Sequence, residues 1–266
     1  MLLAIDVGNS NTSVGVFDGD ERKCELRLST RRNATRDEIA ISLERALALS
    51  GLTFSDLEDA VLACVVPPVL GPWLQALSHY VHLDALVIEP GIRTGMPIRY
   101  DPPQDVGADR IVAAVAAHER YGKRPNDTVK HGIIVVDFGT ATTFDVVSPR
   151  PDYLGGIIAP GIGISADALF ARAAKLPRVD ITRPDQVIGR NTMAAIQSGL
   201  VYGYVSLVEG LLARIRNELD WPSRVVGTGG FAAAVARDSD CIEFVDNALV
   251  LDGLRLIHSR NRTRAK

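Results

Sequence analysis

The chain has 266 residues, 47% of them hydrophobic, 23% charged and 6% aromatic, with a formal net charge of −3. That is enough apolar material for one large domain or two ordinary ones, and the lack of a basic surplus argues against a nucleic-acid partner. Cys24, Cys64 and Cys241 have no C-x-x-C spacing, which excludes a zinc or redox pair and predicts small buried hydrophobes in a reducing compartment. The apolar run before Asp6 is too short for a signal-peptide core, and no run reaches the ~20 apolar residues of a spanning helix. The expectation is a soluble, cytoplasmic protein with no membrane partner.

In chain order, β-branched runs at 2–5 and 13–17 predict strands. Thr35 with Glu38 three residues on reads as a capping box, and Ile39, Leu43, Ala46 and Leu47 then line one helical face until Gly51. Strands follow at 60–66 and 85–88, then an alanine-rich helix at 111–121. The polar stretch 122–131 predicts a surface excursion. Strands at 133–136 and 142–147 precede the glycine-rich segment 155–163, which reads as a tight strand-to-helix connection. Helices are expected at 164–175 and 192–219, the latter capped by Asn191 or Thr192. A strand at 224–226 runs into Gly227, Gly229 and Gly230, and helices at 231–237 and 248–260 complete a layered α/β pattern.

One feature repeats. Residues 5–12 read IDVGNSNT and residues 136–143 read VDFGTATT, with Asp6 matching Asp137 and Gly8 matching Gly139 at an offset of 131 residues. Each copy is an apolar strand ending in Asp-x-Gly, a turn of small polar residues, and a second strand, which predicts a duplicated β-hairpin. A turn of Gly, Ser, Thr and Asn exposes backbone N–H groups and hydroxyls with no bulk in the way of a phosphate. A carboxylate beside that anion is unfavourable unless a cation lies between them. Asp6 and Asp137 therefore imply metal.

Gly107-Ala108-Asp109-Arg110 opens the 111–121 helix just after Tyr100-Asp101-Pro102-Pro103. Asp109 reads equally as a first-turn acid favoured by the helix dipole or as an acid that takes a hydroxyl proton, with Arg110 holding a carboxylate. The five histidines show no ligand spacing beyond His79 and His82, and neither a P-loop nor a G-x-S-x-G occurs.

DVGNSNT (6–12), PGIRTGMPI (90–98), VGADRIVAAVAA (106–117), VVDFGTATTFD (135–145), YLGGIIAPGI (153–162), SADALFARAAKLPRV (165–179), IGRNT and QSGLVYGY (188–204) together span nearly the whole chain. With them the chain resembles type III pantothenate kinases, of the acetate and sugar kinase/actin superfamily. The resemblance implies two duplicated RNase H-like (actin-like ATPase) domains with a nucleotide cleft between them. The domain at 1–115 would carry the first phosphate hairpin and the pantothenate site. The domain at 116–266 would carry the second hairpin, the adenosine side and a dimer helix. The resemblance further implies ATP contacts at Asp6, Val7, Gly8, Asn9, Ser10, Asn11, Thr12, Ser13 and Thr140. Pantothenate would be bound by Tyr100, Gly107, Ala108, Asp109, Arg110 and Thr192, with Asp109 as proton acceptor. Magnesium would accompany ATP, Asp137 would coordinate potassium or ammonium, and a homodimer would place some pocket residues at its interface. Ser10 stands where the family commonly has Thr, and Cys64 where Ser is usual. The alternatives are a superfamily kinase for another small hydroxy-compound and a non-catalytic regulatory homologue; the Gly-Ala-Asp-Arg segment and the three aspartates argue against each.

Overall fold

The computed structural model describes residues 1–262. Its strands form two five-stranded mixed sheets built on one plan. In the first, β1 (Leu2–Val7), β2 (Asn11–Asp18), β3 (Glu21–Ser29), β4 (Asp59–Cys64) and β5 (Leu86–Val87) lie in the order β3-β2-β1-β4-β5, with β1 antiparallel to β2 and parallel to β4. The second takes β6 (Gly132–Phe138), β7 (Ala141–Val147), β8 (Tyr153–Pro160), β9 (Ser223–Gly229) and β10 (Phe244–Val245) in the order β10-β9-β6-β7-β8, with β6 antiparallel to β7 and parallel to β9. Reversed, that is the same order and sense, so the repeat in sequence is a repeat in topology: the duplicated RNase H-like fold.

Seven helices are described: α1 (Arg36–Ala48), α2 (Pro67–Ala76), α3 (Ala108–Tyr121), α4 (Ile162–Arg172), α5 (Thr192–Glu218), α6 (Ala232–Asp238) and α7 (Leu249–Arg262). The capping box stands as expected. Thr35 accepts from Glu38 N, and the Glu38 carboxylate accepts from Thr35 N at 2.8 Å. Four elements, α2, β3, β8 and the two-residue β10, escape the sequence reading. Prolines 67 and 68 look like breakers but fill the first turn of α2, where a missing N–H costs nothing. β3 is a largely exposed edge strand whose only apolar residues, Cys24, Leu26 and Leu28, face the core in alternation. β8 hides behind its glycines, of which Gly156 is required because a Cβ there would lie 1.7 Å from Phe144 O on β7.

Each sheet carries its own core. Leu3, Ile5, Val14 and Val16 pack with Leu43, Leu47 and Trp73 in the first; Ile134, Val136 and Phe144 pack with Val208, Leu212 and Val225 in the second. Contacts divide the chain into a unit of residues 1–119 and 151–153 with the segment from Ala248 on, and a unit of residues 120–150 and 154–247. These are not sequential halves meeting at 115/116, because α7 belongs to the first unit. There Gly253 lies so close to α3 that a Cβ would stand 2.1 Å from Val112 O, and Leu251, Leu254 and Ile257 are buried.

Two smaller expectations need correction. The three cysteines are free but partly exposed, since Cys24 lies on an edge strand, Cys64 at a strand tip and Cys241 in the turn before β10. Among the described residues one helix, α5, is long and apolar enough to cross a membrane, with a mean hydropathy of 1.2 and a third of that window buried.

Candidate active site

The first turn joins β1 to β2. Val7 pairs with Thr12, leaving a four-residue connection, and Gly8 N donates to Asn11 O at 3.0 Å. Asn9, Ser10 and Asn11 are exposed at the tip, whereas Thr12 is buried with its hydroxyl 2.9 Å from that of Thr30. Thr30 N also donates to Ser10 O at 3.0 Å, so the end of β3 braces the turn. Thr12 thus acts from beneath the tip, and Asn9 to Asn11 present the polar groups. Asp6 lies opposite Ser13 and, on the other side, beside Ala63 of β4. Burial pushes the Cys64 thiol up, the nearby Asp6 carboxylate adding to it, so the thiol stays protonated and unreactive.

The second turn is one residue shorter. Phe138 pairs with Thr142 around a three-residue connection, and Gly139 N donates to Ala141 O at 3.0 Å. The sequence match aligns Thr12 with Thr143, but in register Thr12 corresponds to Thr142: both are buried next to the closing pair, and the Thr142 hydroxyl bonds to Tyr204 OH. Ser13 corresponds to Thr143, each opposite its strand-end aspartate.

Two glycine segments close on this second tip. Gly161 N donates to Thr140 O at 3.2 Å, and Gly230 N donates to Phe138 O at 3.2 Å. Gly229, at φ +89°, lies against the strand end so tightly that a Cβ would stand 2.5 Å from Asp137 Oδ1 and 2.7 Å from Phe138 O. The Val225–Phe231 segment, ambiguous in sequence, is therefore part of the Asp137 environment. A carboxylate oxygen and a backbone carbonyl converging on one glycine are hard-oxygen donors suited to magnesium or an alkali cation. Among the described residues no cluster of three or more His, Cys, Asp or Glu side chains could hold a metal alone. The residues fit a cation that completes its shell with carbonyls, water and phosphate oxygens.

The expected acceptor residues sit at the start of α3. Asp109 Oδ1 accepts from Arg110 N at 2.8 Å, and a Cβ on Gly107 would lie 2.5 Å from that same oxygen, so glycine is what lets the carboxylate fold over the helix start. Ile111 to Ala117 behind it are buried, giving the pair a rigid base. Arg110 lies over the Tyr153 ring at 6.0 Å. Tyr153 in turn is tied to the strand-like segment leading to Tyr100: Arg99 N donates to Tyr153 O at 2.7 Å, and Tyr153 N to Pro97 O at 2.9 Å. Tyr100, Gly107, Ala108, Asp109 and Arg110 thus share one unit, with Tyr153 as a member that the sequence reading quoted but did not single out. Thr192 and Thr140 belong to the other unit. Asn191 is the N-cap of α5, its side chain accepting from Ala194 N at 2.8 Å, which leaves Thr192 exposed as the first helical residue.

A family model described as type III pantothenate kinase matches residues 2–214. Curated relatives of that name include those of Anaeromyxobacter sp. (strain Fw109-5), 50% identical over 262 residues and covering 98% of this chain and 100% of its own length, and of Moorella thermoacetica, 48% identical over 261 residues with the same coverage. That of Geobacillus kaustophilus is 46% identical over 261 residues, 98% of each chain. Among solved structures, one assigned to the Baf family of transcriptional activators from Campylobacter jejuni superposes with a TM-score of 0.62 at 19% identity, covering 98% of this chain and 99% of that one. The ethanolamine utilization protein EutJ from Carboxydothermus hydrogenoformans gives 0.53 at 16% identity, covering 96% and 89%. At such identities the two structures speak for the fold alone. The family model and the full-length relatives, on top of the duplicated hairpins and the Gly107–Arg110 segment, make this chain a member of the type III pantothenate kinase family.

Proposed function

We propose that this protein transfers the γ-phosphoryl group of ATP to the primary hydroxyl of pantothenate, giving 4′-phosphopantothenate in the first step of coenzyme A biosynthesis. The observation that carries the reading is near-full-length identity of 46–50% to relatives named for that activity, with Asp6, Asp137 and the Gly107–Arg110 segment in place. Phosphoryl transfer asks little covalent chemistry of a protein; the work is alignment and charge neutralisation. In the first unit, Asp109 accepts the proton of the attacking hydroxyl, Arg110 holds the pantothenate carboxylate, and Tyr100 covers the substrate. Asp6 to Ser13 serve the phosphates through the exposed amides and polar side chains of the turn, Thr140 makes a further nucleotide contact, and Thr192 contacts substrate. The second unit also supplies the adenosine side.

Magnesium, bound chiefly through the phosphates, and potassium or ammonium beside Asp137 would neutralise the charge that these carboxylates otherwise oppose. A homodimer accounts for the exposed face of α5. Gly199, Gly203 and Gly210 lie there with no heavy atom within 4 Å of where a Cβ would stand, which leaves a second helix room for close approach. A soluble dimer in the cytoplasm fits such a helix better than a membrane span.

The test is a coupled assay of ADP release with ATP, magnesium and potassium, run with and without pantothenate and followed by mass spectrometry of the product. Release that depends on another hydroxy-compound instead would favour a superfamily kinase of different specificity. Asp109→Asn keeps shape and most hydrogen bonding while removing the base, so kcat at saturating pantothenate should drop by about 10²-fold or more. A purely helix-stabilising acid would cost only ~0.3–1 kcal/mol of stability and leave turnover nearly intact.

A further inference from the structure

We infer that Arg260 and Asn261, near the end of α7, are positioning residues for the acceptor substrate: they hold the 93–96 turn and through it set Tyr100 and Arg110. The inference rests on the kinase reading and deepens it, adding two residues of the last helix to the support of the pantothenate site. Between β5 and Ile98, which bridges to Tyr153, the chain forms neither strand nor helix. Its own bonds are local. Ile92 N donates to Glu89 O at 3.1 Å, and the Thr94 hydroxyl accepts from Met96 N at 3.2 Å and donates to Met96 O at 3.0 Å. A coil with so few bonds of its own keeps one conformation only when a neighbour fixes it.

Helix α7 is that neighbour. Asn261 Nδ2 donates to Arg93 O at 3.1 Å, and its Oδ1 accepts from Arg93 N at 3.4 Å, so one amide side chain satisfies both backbone groups of Arg93. Arg260 Nη1 donates to Thr94 O, while its Nη2 donates to the Glu119 carboxylate at 2.9 Å, in the last turn of α3. One guanidinium thus ties the turn to the helix whose first turn carries Asp109 and Arg110. Gly95, at φ +74°, lies against it so closely that a Cβ would stand 2.9 Å from Arg260 Nη1. Glycine allows both the left-handed backbone and the close approach.

From the turn the hold passes straight on to the acceptor residues. Pro97 O accepts from Tyr153 N, Arg99 N donates to Tyr153 O, and Arg99 Nε donates to Asp152 Oδ1 at 3.0 Å. Tyr100 is the next residue, and the ring of Tyr153 lies under Arg110. All of these residues belong to the first unit. A shift of the 93–96 turn therefore moves the two side chains assigned to pantothenate. This chain of contacts includes neither phosphate turn.

The experiment measures kcat and the KM values for pantothenate and ATP in the wild type, Arg260→Met, Arg260→Lys and Asn261→Ala. Arg260→Met keeps the stem and loses the donors, so the KM for pantothenate should rise about tenfold. The KM for ATP should not change, and kcat should stay within about threefold of the wild type. Lysine reaches the turn or Glu119 but does not fork to both, so Arg260→Lys should recover part of the loss. A residue that merely stabilised the fold would lower the melting temperature and the active fraction and leave both KM values where they were. Should Arg260→Met melt early, Asn261→Ala decides, with a several-fold rise in the KM for pantothenate alone. A wild-type KM for pantothenate in the folded variants, or an equal rise for both substrates, overturns the inference. If the wild type fails to phosphorylate pantothenate, the kinase reading falls, and hydrogen exchange at the amides of Arg93, Met96 and Arg99 still tests the tie. Exchange there should be about tenfold faster in Asn261→Ala; equal rates would show that α7 does not hold the turn.

Discussion

The two hairpin turns began as copies and now differ in how they are held. The first is longer, is braced from one side through Thr30, and offers Asn9, Ser10 and Asn11 to solvent. The second is a residue shorter and is gripped by Gly161 on one flank and by Gly229 and Gly230 on the other, with Asp137 pressed against Gly229. The first is thus open at its tip, and the second fixes a carboxylate in place. Duplication supplied the shape, and the neighbouring glycines divided the labour.

Substitution of the glycines should expose this difference most strongly. Gly229→Ala demands a positive φ of an alanine and drives its Cβ into Asp137 and the Phe138 carbonyl; activity should fall by about 10²-fold. In Gly8→Ala the one close contact is Asn11 O at 3.0 Å with no positive φ, so relaxation by a few tenths of an ångström should keep kcat within about tenfold of wild type. Equal losses in the two variants would erase the distinction.

The aspartates sharpen it chemically. Replacing potassium with sodium at matched ionic strength should slow the wild type several-fold, about the effect expected when a cation no longer suits its donors. Asp137→Asn should be slow and nearly indifferent to the choice of salt, whereas Asp6→Asn should be slow yet keep its potassium preference. Salt titrations of kcat/KM distinguish the two patterns.

Buried hydroxyls give a stability version of the comparison. Thr142→Val leaves the buried Tyr204 hydroxyl without its bond to Thr142, and burial already pushes that phenol up and keeps it neutral. The expected loss is about 1–3 kcal/mol in denaturant melts. Thr12→Val removes a part-buried bond to Thr30 and should cost about 1 kcal/mol.

The smallest effect belongs to residues 122–131, in the second unit. Its Asp127 is held well below the usual carboxylate range, first by the Arg224 guanidinium, at 2.6 and 2.7 Å, then by Arg124 N. A depressed carboxylate stabilises the fold above its unfolded value of about 3.9 and loses that contribution as pH falls towards its folded value. Asp127→Asn should therefore melt slightly below wild type at pH 7, with the gap closing as pH drops below about 4.

Much of this was legible in the chain. The Asp-x-Gly repeat carried the duplicated topology because strand, turn and strand lie within a dozen residues of each other, and the Thr35 to Glu38 capping box is equally local. β3 was missed, because the alternation of Cys24, Leu26 and Leu28 is masked by its charged neighbours. What no local pattern could reveal is Gly229 against Asp137, or Tyr153 beneath Arg110, since those partners meet only through sheet order. The hairpin alignment itself slipped by one residue at the turn, because letters align without regard to hydrogen-bond register.

Helix α7 has a consequence for how the protein is made. The polypeptide leaves the ribosome from its N-terminus, and domains fold as they emerge. Residues 120–247, which hold all of the second unit, are out before Gly253 and Leu254 have been synthesised to cover α3. The first unit therefore waits for α7 to be complete, while the second, encoded before α7, can fold earlier. Until α7 has emerged, the back of α3, behind the Asp109 end, stays uncovered.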